Sequence, residues 1–183
     1  LLRWYNNELK NPGPDRFIGI AEECGLINGI GEWVLINACK QAVRWRHAGL
    51  PEMSIAVNIS ARQFEGAQVV ESVKKALKQS GLPAKQLELE ITEGLLINDD
   101  PKIRECFQQL KALGVKLSLD DFGTGYASLS YLKRYPFDIL KIDRSFVHDI
   151  DRSGDSMTLV NAIIAMAHSF NMSVIAEGVE NLQ

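Results

Sequence analysis

The chain contains 183 residues, of which 46% are hydrophobic and 23% charged, and its formal net charge at pH 7 is −3. This composition is ordinary for a soluble globular domain and excludes a chain that is disordered throughout. No segment approaches the roughly 18 consecutive apolar residues of a membrane-spanning helix. Because binding to nucleic-acid phosphates requires a basic face, the net acidic charge means that neither DNA nor RNA is expected as a partner.

The cysteines and the N-terminus bear on the location of the protein. Cys24, Cys39 and Cys106 form no Cys-x-x-Cys pair, which argues against a zinc ribbon or a disulfide framework and favours reduced thiols in the cytosol. The chain begins with Leu1 rather than an initiator Met, and it shows no signal-peptide pattern. We interpret it as a piece of a longer protein, a cytoplasmic domain whose parent could be anchored to a membrane through a segment outside it.

The first third of the chain predicts a loop, two helices and a strand. Polar residues and two prolines over 6–16 indicate the loop, and a short helix over 17–24 follows it. Apolar residues at helical spacing predict a longer helix over 30–48, and Gly49-Leu50-Pro51 ends it. The apolar segment 53–59 is typical of a buried strand.

The remaining two thirds repeat this alternation of strand and helix. Asp100 at the N-cap and Pro101 at the first helical position begin one helix, and Gly114 ends it. The predicted helices are 69–80, 101–113, 128–134 and 159–170, and the predicted strands are 87–92, 115–119, 137–142 and 172–176. This alternation predicts an α/β protein with a parallel sheet, in which an open doubly wound sheet and a closed barrel both remain possible.

Side chains that can bind ions follow the predicted strands where each one ends: Asn58, Glu90, Asp120 with Asp121, Lys141 and Glu177. Successive positions are 21 to 36 residues apart, which is about one strand–helix unit each. In a barrel all strand carboxyl ends open on one face, whereas an open sheet would spread them along a wide edge. The register therefore favours a (β/α)8 barrel. Any one of these residues alone would be read as a solvated polar group at a strand end.

The residue types at these positions point to a metal-dependent reaction. No histidine lies at a predicted strand end, and ligand sets made of oxygen alone suit Mg²⁺ or Mn²⁺ better than Zn²⁺. Adjacent Asp120 and Asp121 would allow one carboxylate to bridge two ions, and two ions about 3.5–4 Å apart can clamp a phosphodiester. Lys141 would add positive charge there or hold the attacking water, unless it only pairs with a neighbouring carboxylate.

Five segments carry a resemblance to a known family: FIGIAEECGLI (17–27), VNISARQF (57–64), LELEITE (87–93), LDDFGTGYASLSYLKRYPFDILKIDRSFV (119–147) and IAEGVE (175–180). They resemble the EAL-domain phosphodiesterases that hydrolyse cyclic di-GMP, and the DDFGTG block is highly specific. The resemblance implies a modified (β/α)8 TIM-like barrel with one antiparallel strand. It also implies a reaction that needs Mg²⁺ or Mn²⁺, two ions in the complete site, and yields linear pGpG.

The same resemblance implies the roles of the strand-end residues. Asn58, Glu90 and Asp120 are similar to ligands of a first metal ion, and Asp120 would bridge to a second. Asp121 and Glu177 would lie beside that second ion, and Glu177 counts among the catalytic residues.

Three further residues match positions that the family uses. Lys141 resembles the catalytic lysine that orients the attacking water. Glu93 resembles the glutamate that anchors the loop over 122–128, which carries Gly123 and Gly125. Arg3 resembles an arginine that contacts a substrate phosphate, although alone it would be read as a surface residue.

The resemblance is incomplete at both ends of the chain. The name-giving Glu-Ala-Leu motif would end at Leu1, which leaves its metal-binding Glu outside, and a Gln-Gly-Tyr block would follow Gln183. A complete barrel has about 250 residues. We therefore expect residues 1–183 to form a single partial domain that lacks the first strand region and the last strand–helix unit. Its first metal site would be incomplete, so weak metal binding is expected from this piece alone.

Three functions remain in competition at this point. The leading one is hydrolysis of cyclic di-GMP. The second is a catalytically inactive receptor that binds the dinucleotide, as some relatives do, although every visible catalytic position matches the active pattern. The third is an unrelated Mg²⁺-dependent barrel enzyme, which would not explain DDFGTG. The resemblance further implies a homodimer and a sensor or diguanylate-cyclase-like domain in the same polypeptide.

Side-chain alternation gives one expectation about the barrel interior. Glu88 lies on the same side of its strand as Glu90, and Lys116 lies on the same side as Asp120. Because buried charges are costly unless paired, we expect Glu88 and Lys116 to form an interior ion pair with a structural role. The alternative is that a twist or a bulge turns one of them outward.

Overall fold

The computed structural model describes residues 2–96, 100–123, 129–148 and 154–179. The helices are α1 (Pro14–Glu23), α2 (Ile27–His47), α3 (Gln68–Ser80), α4 (Pro101–Leu113), α5 (Leu129–Arg134), α6 (Arg144–His148) and α7 (Gly154–Ser169). The strands are β1 (Ile55–Asn58), β2 (Leu87–Thr92), β3 (Lys116–Phe122), β4 (Ile139–Ile142) and β5 (Ser173–Ala176). Short 3₁₀-helices span Ala61–Ala67, Ala84–Gln86 and Glu93–Leu96.

The five strands form one parallel sheet in the order β1-β2-β3-β4-β5, so each strand pairs with the one that precedes it in the chain. Asn58 is level with Glu90 in the first pair, and Thr92 is level with Asp120 in the second. The pairing of β3 with β4 shifts register between Leu119 and Phe122. The prediction of an α/β protein with a parallel sheet is confirmed, and all strand carboxyl ends lie at the same edge.

Side-chain alternation along β2 and β3 gives the sheet one apolar face, which packs in the hydrophobic core, and one polar face. Leu87, Leu89 and Ile91 are fully buried with Leu117 and Leu119 in the hydrophobic core. Aromatic rings fill the centre of this core, where the Phe107 ring lies 5.4 Å from Phe64, 5.1 Å from Tyr135 and 5.4 Å from Phe137 between ring centroids. The opposite positions of the same strands carry the polar side chains Glu88, Glu90, Ser118 and Asp120.

Local signals in the sequence explain the ends of α4. The Asp100 side chain accepts a hydrogen bond from the Lys102 backbone N–H at 2.8 Å, as expected of an N-cap. Gly114 adopts φ 88°, a left-handed conformation that glycine reaches without a steric penalty. Both predicted helix ends are therefore confirmed. The helix predicted over 128–134 is described from Leu129 onward, and Ser128 lies outside the described residues.

Asp138, which directly precedes β4, forms hydrogen bonds with α4, β3 and β5 at the amino end of the sheet. Its carboxylate accepts hydrogen bonds from Lys111 Nζ on α4, at 2.6 Å, and from the Leu117 backbone N–H on β3, at 2.8 Å. Its backbone N–H donates to the Leu117 carbonyl, and its own carbonyl accepts from the Ser173 N–H, both at 2.9 Å. Asp138 thus aligns β3, β4 and β5 at their starts.

The expected interior ion pair between Glu88 and Lys116 is wrong. Glu88 is buried as predicted, with 7% of its surface exposed, but Lys116 is exposed. Among the described residues no ion pair within 4.0 Å joins the two. The reason is position: Lys116 is the first residue of β3, so its long side chain reaches water at the amino edge of the sheet.

No helix in the described part of the chain combines the length and the apolar composition that crossing a membrane requires.

Candidate active site

The first two strands bring an amide and a carboxylate together. Asn58, the last residue of β1, donates from Nδ2 to Oε2 of Glu90 on β2 at 2.6 Å. The Ile59 backbone N–H donates to the Glu90 carbonyl at 2.9 Å, which extends the pairing of the strands past Asn58. Because the amide nitrogen is the atom used toward Glu90, the Asn58 carbonyl oxygen keeps its capacity as an acceptor or metal ligand.

Lys141 connects three of the predicted site residues. Its Nζ lies 2.5 Å from Oε1 of Glu177, 2.7 Å from Oε1 of Glu90 and 3.1 Å from Oδ1 of Asp120. Burial alone would lower the pKa of Lys141, but hydrogen bonds to Glu177, Glu90 and Asp120 outweigh it and raise the pKa above its ordinary value. The side chain is therefore a fixed cation at neutral pH.

Asp120 and Asp121 face the same site although they are neighbours in one strand. Strict alternation would point consecutive side chains to opposite faces of the sheet. The register shift of β3 lies at these two residues, and Asp121 adopts φ 55°, which is unusual for a residue other than glycine. As a result, carboxylate oxygens of Asp120, Asp121 and Glu177 lie within 4.8 Å of one another.

Burial and like charges raise the pKa of two of these carboxyl groups. For Glu90 desolvation is the largest cause; Lys141 opposes it, and the charges of Asp120 and Glu88 add to it. For Asp121 desolvation also comes first, followed by repulsion from Asp120, Asp143 and Glu177. The site therefore concentrates more negative charge than Lys141 alone balances, which favours binding of a further cation.

Glu93 lies where the resemblance places a loop anchor. It is buried in the 3₁₀-helix after β2, and its Oε1 accepts a hydrogen bond from the Gly123 backbone N–H at 2.7 Å. Gly123 is the second residue after Asp121, so this bond holds the start of the turn that follows β3. Residues 124–128, including Gly125, lie outside the described residues.

Arg3 is not brought into contact with the acidic cluster. It is exposed, and its Nη1 donates to the carbonyl of its neighbour Leu2 at 3.1 Å. In the described residues no ion pair joins Arg3 to a site carboxylate. Its role toward a substrate phosphate stays a prediction.

Sequence reasoning missed Asp143, which the structure places beside the site. Asp143 follows β4 two residues after Lys141, and its charge contributes to the raised pKa of Asp121. Its own pKa is lowered, because its carboxylate accepts hydrogen bonds from the Ser145 hydroxyl at 2.5 Å and the Ser145 N–H at 2.9 Å. The sequence Asp143-Arg144-Ser145 is an N-cap signal that could have revealed both the residue and the short helix α6.

The whole chain matches the model of one protein family. The family model for the EAL domain matches residues 1–183. The chain belongs to the EAL-domain family. A solved structure of the PaMucR phosphodiesterase in complex with c-di-GMP is 44% identical to it, with a TM-score of 0.91 over 99% of this chain and 73% of that one. A Pseudomonas aeruginosa FimX EAL domain bound to c-di-GMP is 25% identical, with a TM-score of 0.87 over 99% and 72%. EAL domains are TIM-barrel-like, which confirms the predicted fold class.

Curated relatives have names that concern the same dinucleotide. The cyclic di-GMP phosphodiesterase NbdA of Pseudomonas aeruginosa is 46% identical over 183 residues, which are 100% of this chain and 23% of that protein. The cyclic di-GMP phosphodiesterase PdeR of Escherichia coli is 42% identical over 181 residues, 99% of this chain and 27% of that protein. The chain therefore spans about a quarter of the length of these relatives.

The donors in this EAL domain fit divalent cations. Three carboxylates, from Asp120, Asp121 and Glu177, already share a space in which single oxygens lie within 4.8 Å of one another. Carboxylate and amide oxygens are hard ligands of the kind that Mg²⁺ and Mn²⁺ prefer. Three carboxylates already bind one cation at this place, the Lys141 ammonium.

Proposed function

We propose that this chain is the catalytic part of a metal-dependent phosphodiesterase that hydrolyses cyclic di-GMP to linear pGpG. The observation that carries the proposal is the convergence of Asn58, Glu90, Asp120, Asp121, Lys141 and Glu177 at the carboxyl ends of five parallel strands. Family membership and the named activities of NbdA and PdeR support the choice of substrate.

Two groups of side chains would hold the ions, Mg²⁺ or Mn²⁺. Asn58, Glu90 and Asp120 would bind the first, and Asp120 would bridge to a second held by Asp121 and Glu177. When bound, such ions neutralise the phosphodiester oxygens and lower the pKa of the attacking water. The β3 register shift supports this division, because it turns both Asp120 and Asp121 toward one space.

Lys141 would orient the attacking water by donating one hydrogen bond from Nζ, which would replace one of its three bonds to Glu177, Glu90 and Asp120. In the metal-free site its raised pKa keeps Nζ protonated at neutral pH, so Nζ is assigned the role of a donor rather than that of the general base. It therefore fixes the lone pair of the water toward phosphorus and adds positive charge beside the developing negative charge of the phosphate. A carboxylate oxygen of the cluster would accept the proton of the water.

The rest of the proposal concerns the whole protein. Arg3 would contact a substrate phosphate, and Glu93 would hold the turn after Asp121. We also propose that the whole protein is a homodimer in the cytoplasm. Its polypeptide would carry a sensor or diguanylate-cyclase-like domain as well. One relative, MucR of Pseudomonas aeruginosa, is named as a bifunctional diguanylate cyclase/cyclic di-GMP phosphodiesterase, which supports the last of these.

The test incubates the native protein that carries this chain with cyclic di-GMP and Mg²⁺ or Mn²⁺ and separates the products by chromatography. We expect pGpG to form with either ion, to disappear with a chelator, and to be lost in Glu177→Ala. Tight dinucleotide binding without product would instead support an inactive receptor. A folded protein that neither binds nor cleaves the dinucleotide would overturn both functions.

A further inference from the structure

The short helix α6 contacts the chain just after two residues of the acidic cluster, Asp121 and Glu177. Gly123 is two residues after Asp121, and Gly178 directly follows Glu177. Phe146 lies against Gly123, and Arg144 lies against Gly178. One five-residue helix thus contacts both segments that carry the Asp121 and Glu177 carboxylates.

The contact at Gly123 leaves no room for a side chain. A Cβ placed there would lie 2.6 Å from Cε2 and 2.7 Å from Cζ of Phe146, and Gly123 has φ 100°. On its other side the Gly123 N–H donates to Oε1 of Glu93 at 2.7 Å. The turn after Asp121 is therefore held between a buried carboxylate and an aromatic ring.

The contact at Gly178 is of the same kind. Gly178 has φ 72°, and a Cβ placed there would lie 2.7 Å from Cβ of Arg144. The contact involves the first carbon of the Arg144 side chain rather than its guanidinium group, because the next nearest side-chain atom, Cγ, is 4.0 Å away. The position of the α6 backbone thereby limits where the segment after Glu177 can lie.

Helix α6 is itself fixed by two sets of contacts. Asp143 caps its first turn through the Ser145 hydroxyl and N–H, and its carbonyl accepts from the Phe146 N–H at 3.1 Å. Phe146 and Val147 are partly buried against the hydrophobic core. The helix is therefore a capped and packed spacer between β4, which carries Lys141, and the two glycine turns.

We propose that α6, through Phe146 and the Cβ of Arg144, is a positioning element that sets the separation of the Asp121 and Glu177 carboxylates. The proposal rests on the proposed function, since these carboxylates form the second ion site in it. Phe146 is a positioning residue rather than a catalytic one, because it acts on Asp121 through Gly123. Asp121 depends on such support, since its own φ of 55° is one that non-glycine residues adopt only when neighbouring structure imposes it.

The test compares Phe146→Ala with Val147→Ala in the native protein. Val147 lies on the same helix and is also packed against the core, whereas the three atoms nearest the Cβ position at Gly123 all belong to Phe146. Mn²⁺ binding is measured by electron paramagnetic resonance, the Gly123 amide by hydrogen exchange, and stability by thermal unfolding. Phe146→Leu tests conservative rescue, and Arg144→Ala, which keeps Cβ, serves as a further control.

We expect Phe146→Ala to weaken Mn²⁺ binding about tenfold and to accelerate exchange of the Gly123 amide, while Val147→Ala loses comparable stability with neither effect. Phe146→Leu should restore most of the affinity, and Arg144→Ala should bind Mn²⁺ like the unaltered protein. Equal Mn²⁺ affinity in Phe146→Ala and Val147→Ala would overturn the proposal, as would unchanged exchange at Gly123.

Failure of the proposed role of α6 can be distinguished from failure of the proposed function. If the unaltered protein bound Mn²⁺ and cleaved cyclic di-GMP while Phe146→Ala did the same with full affinity, the role of α6 would be wrong and the proposed function would stand. If the unaltered protein bound no Mn²⁺, the second ion site and the role of α6 in spacing it would both be rejected.

Discussion

The Asn58 amide and the Glu90 carboxylate face each other across β1 and β2, with Nδ2 of Asn58 donating to Oε2 of Glu90 at 2.6 Å. The two residues are level in the strand register, so the bond is a direct consequence of the parallel pairing. It places a neutral donor where a second carboxylate would meet Glu90, whose pKa burial already raises. The site therefore depends on an amide at position 58, not merely on an oxygen ligand there.

Asn58→Asp should destabilise the metal-free protein by about 1–3 kcal/mol at pH 7.5, because it replaces a hydrogen-bond donor by a second negative charge. The loss should shrink at pH 5, because one proton shared between the two carboxyl groups removes the repulsion. Urea unfolding with a chelator present measures both values. Asn161→Asp, an exposed change on α7, adds the same charge elsewhere and should have little effect at either pH. A loss that is equal at both pH values would contradict the explanation.

Lys141→Met should leave Glu90, Asp120 and Glu177 without their common cation. Since breaking a buried ion pair costs about 3–5 kcal/mol, we expect a clear drop in the melting temperature of the metal-free protein. Mn²⁺ should raise the melting temperature of the variant by more than that of the unaltered protein, because the ion supplies the missing positive charge. Thermal unfolding with and without Mn²⁺ measures both effects.

Lys111→Met is the matched control for that experiment. Lys111 pairs with Asp138 at 2.6 Å, but both side chains are about one third exposed and lie at the opposite end of the sheet. The melting temperature of Lys111→Met should fall by less than that of Lys141→Met, and the fall should not depend on Mn²⁺. If Lys141→Met and Lys111→Met lost equal stability and responded equally to Mn²⁺, the account of Lys141 as an internal counter-ion would fail.

Glu93→Gln should lower the turnover of cyclic di-GMP about tenfold, and Glu93→Ala should lower it further. A hydrogen bond to a charged acceptor contributes about 1.5–3 kcal/mol, and the amide oxygen of Gln keeps the acceptor while losing the charge. The Gly123 amide should exchange faster in the same order. Glu65→Gln, a change in an exposed pair with Arg62, is the control and should leave both measurements unaltered. Faster turnover in Glu93→Ala than in Glu93→Gln would contradict this role.

The three cysteines should differ in their reactivity at pH 8. Cys24 is exposed, whereas burial raises the pKa of Cys39 to about 11 and also raises that of Cys106. Because the thiolate is the reactive form and the Cys39 thiol is buried, Cys39 should be alkylated much more slowly than Cys24, as measured by peptide mass spectrometry. Neutral Cys39 should contribute its full stabilisation below about pH 8.5, where the unfolded thiol is still protonated, and this contribution should be lost as the pH rises from there to about 11. Rapid labelling of Cys39 in the native state would refute its burial.

Parts of this fold could be predicted because short-range chemistry determines them. The alternating segment Leu87–Thr92 forms β2 with the predicted bounds, since one face is polar and the other packs in the core. Asp100 and Gly114 define α4 because an N-cap and a left-handed C-terminal residue are local requirements. The strand-end positions followed from counting strand–helix units, and four of them, Asn58, Glu90, Asp120 and Glu177, are linked through Lys141 or Glu90.

Other parts could not be predicted, because they arise from packing between distant segments. The register shift at Asp120 and Asp121 exists only relative to β4, so alternation within the sequence does not reveal it. Helix α6 has only five residues, which is too short to show helical periodicity in the sequence. Lys116 illustrates a third reason: alternation gives the side of a strand but not the distance of a flexible side chain from its edge.

The sequential strand order, β1 to β5, has a consequence for synthesis on the ribosome. Each strand pairs with the one made just before it, so the emerging chain can add strands one at a time without displacing any already in place. Glu90, Asp120 and Asp121 arrive first and accumulate negative charge. Lys141, which pairs with Glu90 and Asp120 in the folded domain, emerges next, ahead of Glu177. The growing domain thus exposes its own cation before its last acidic residue leaves the ribosome.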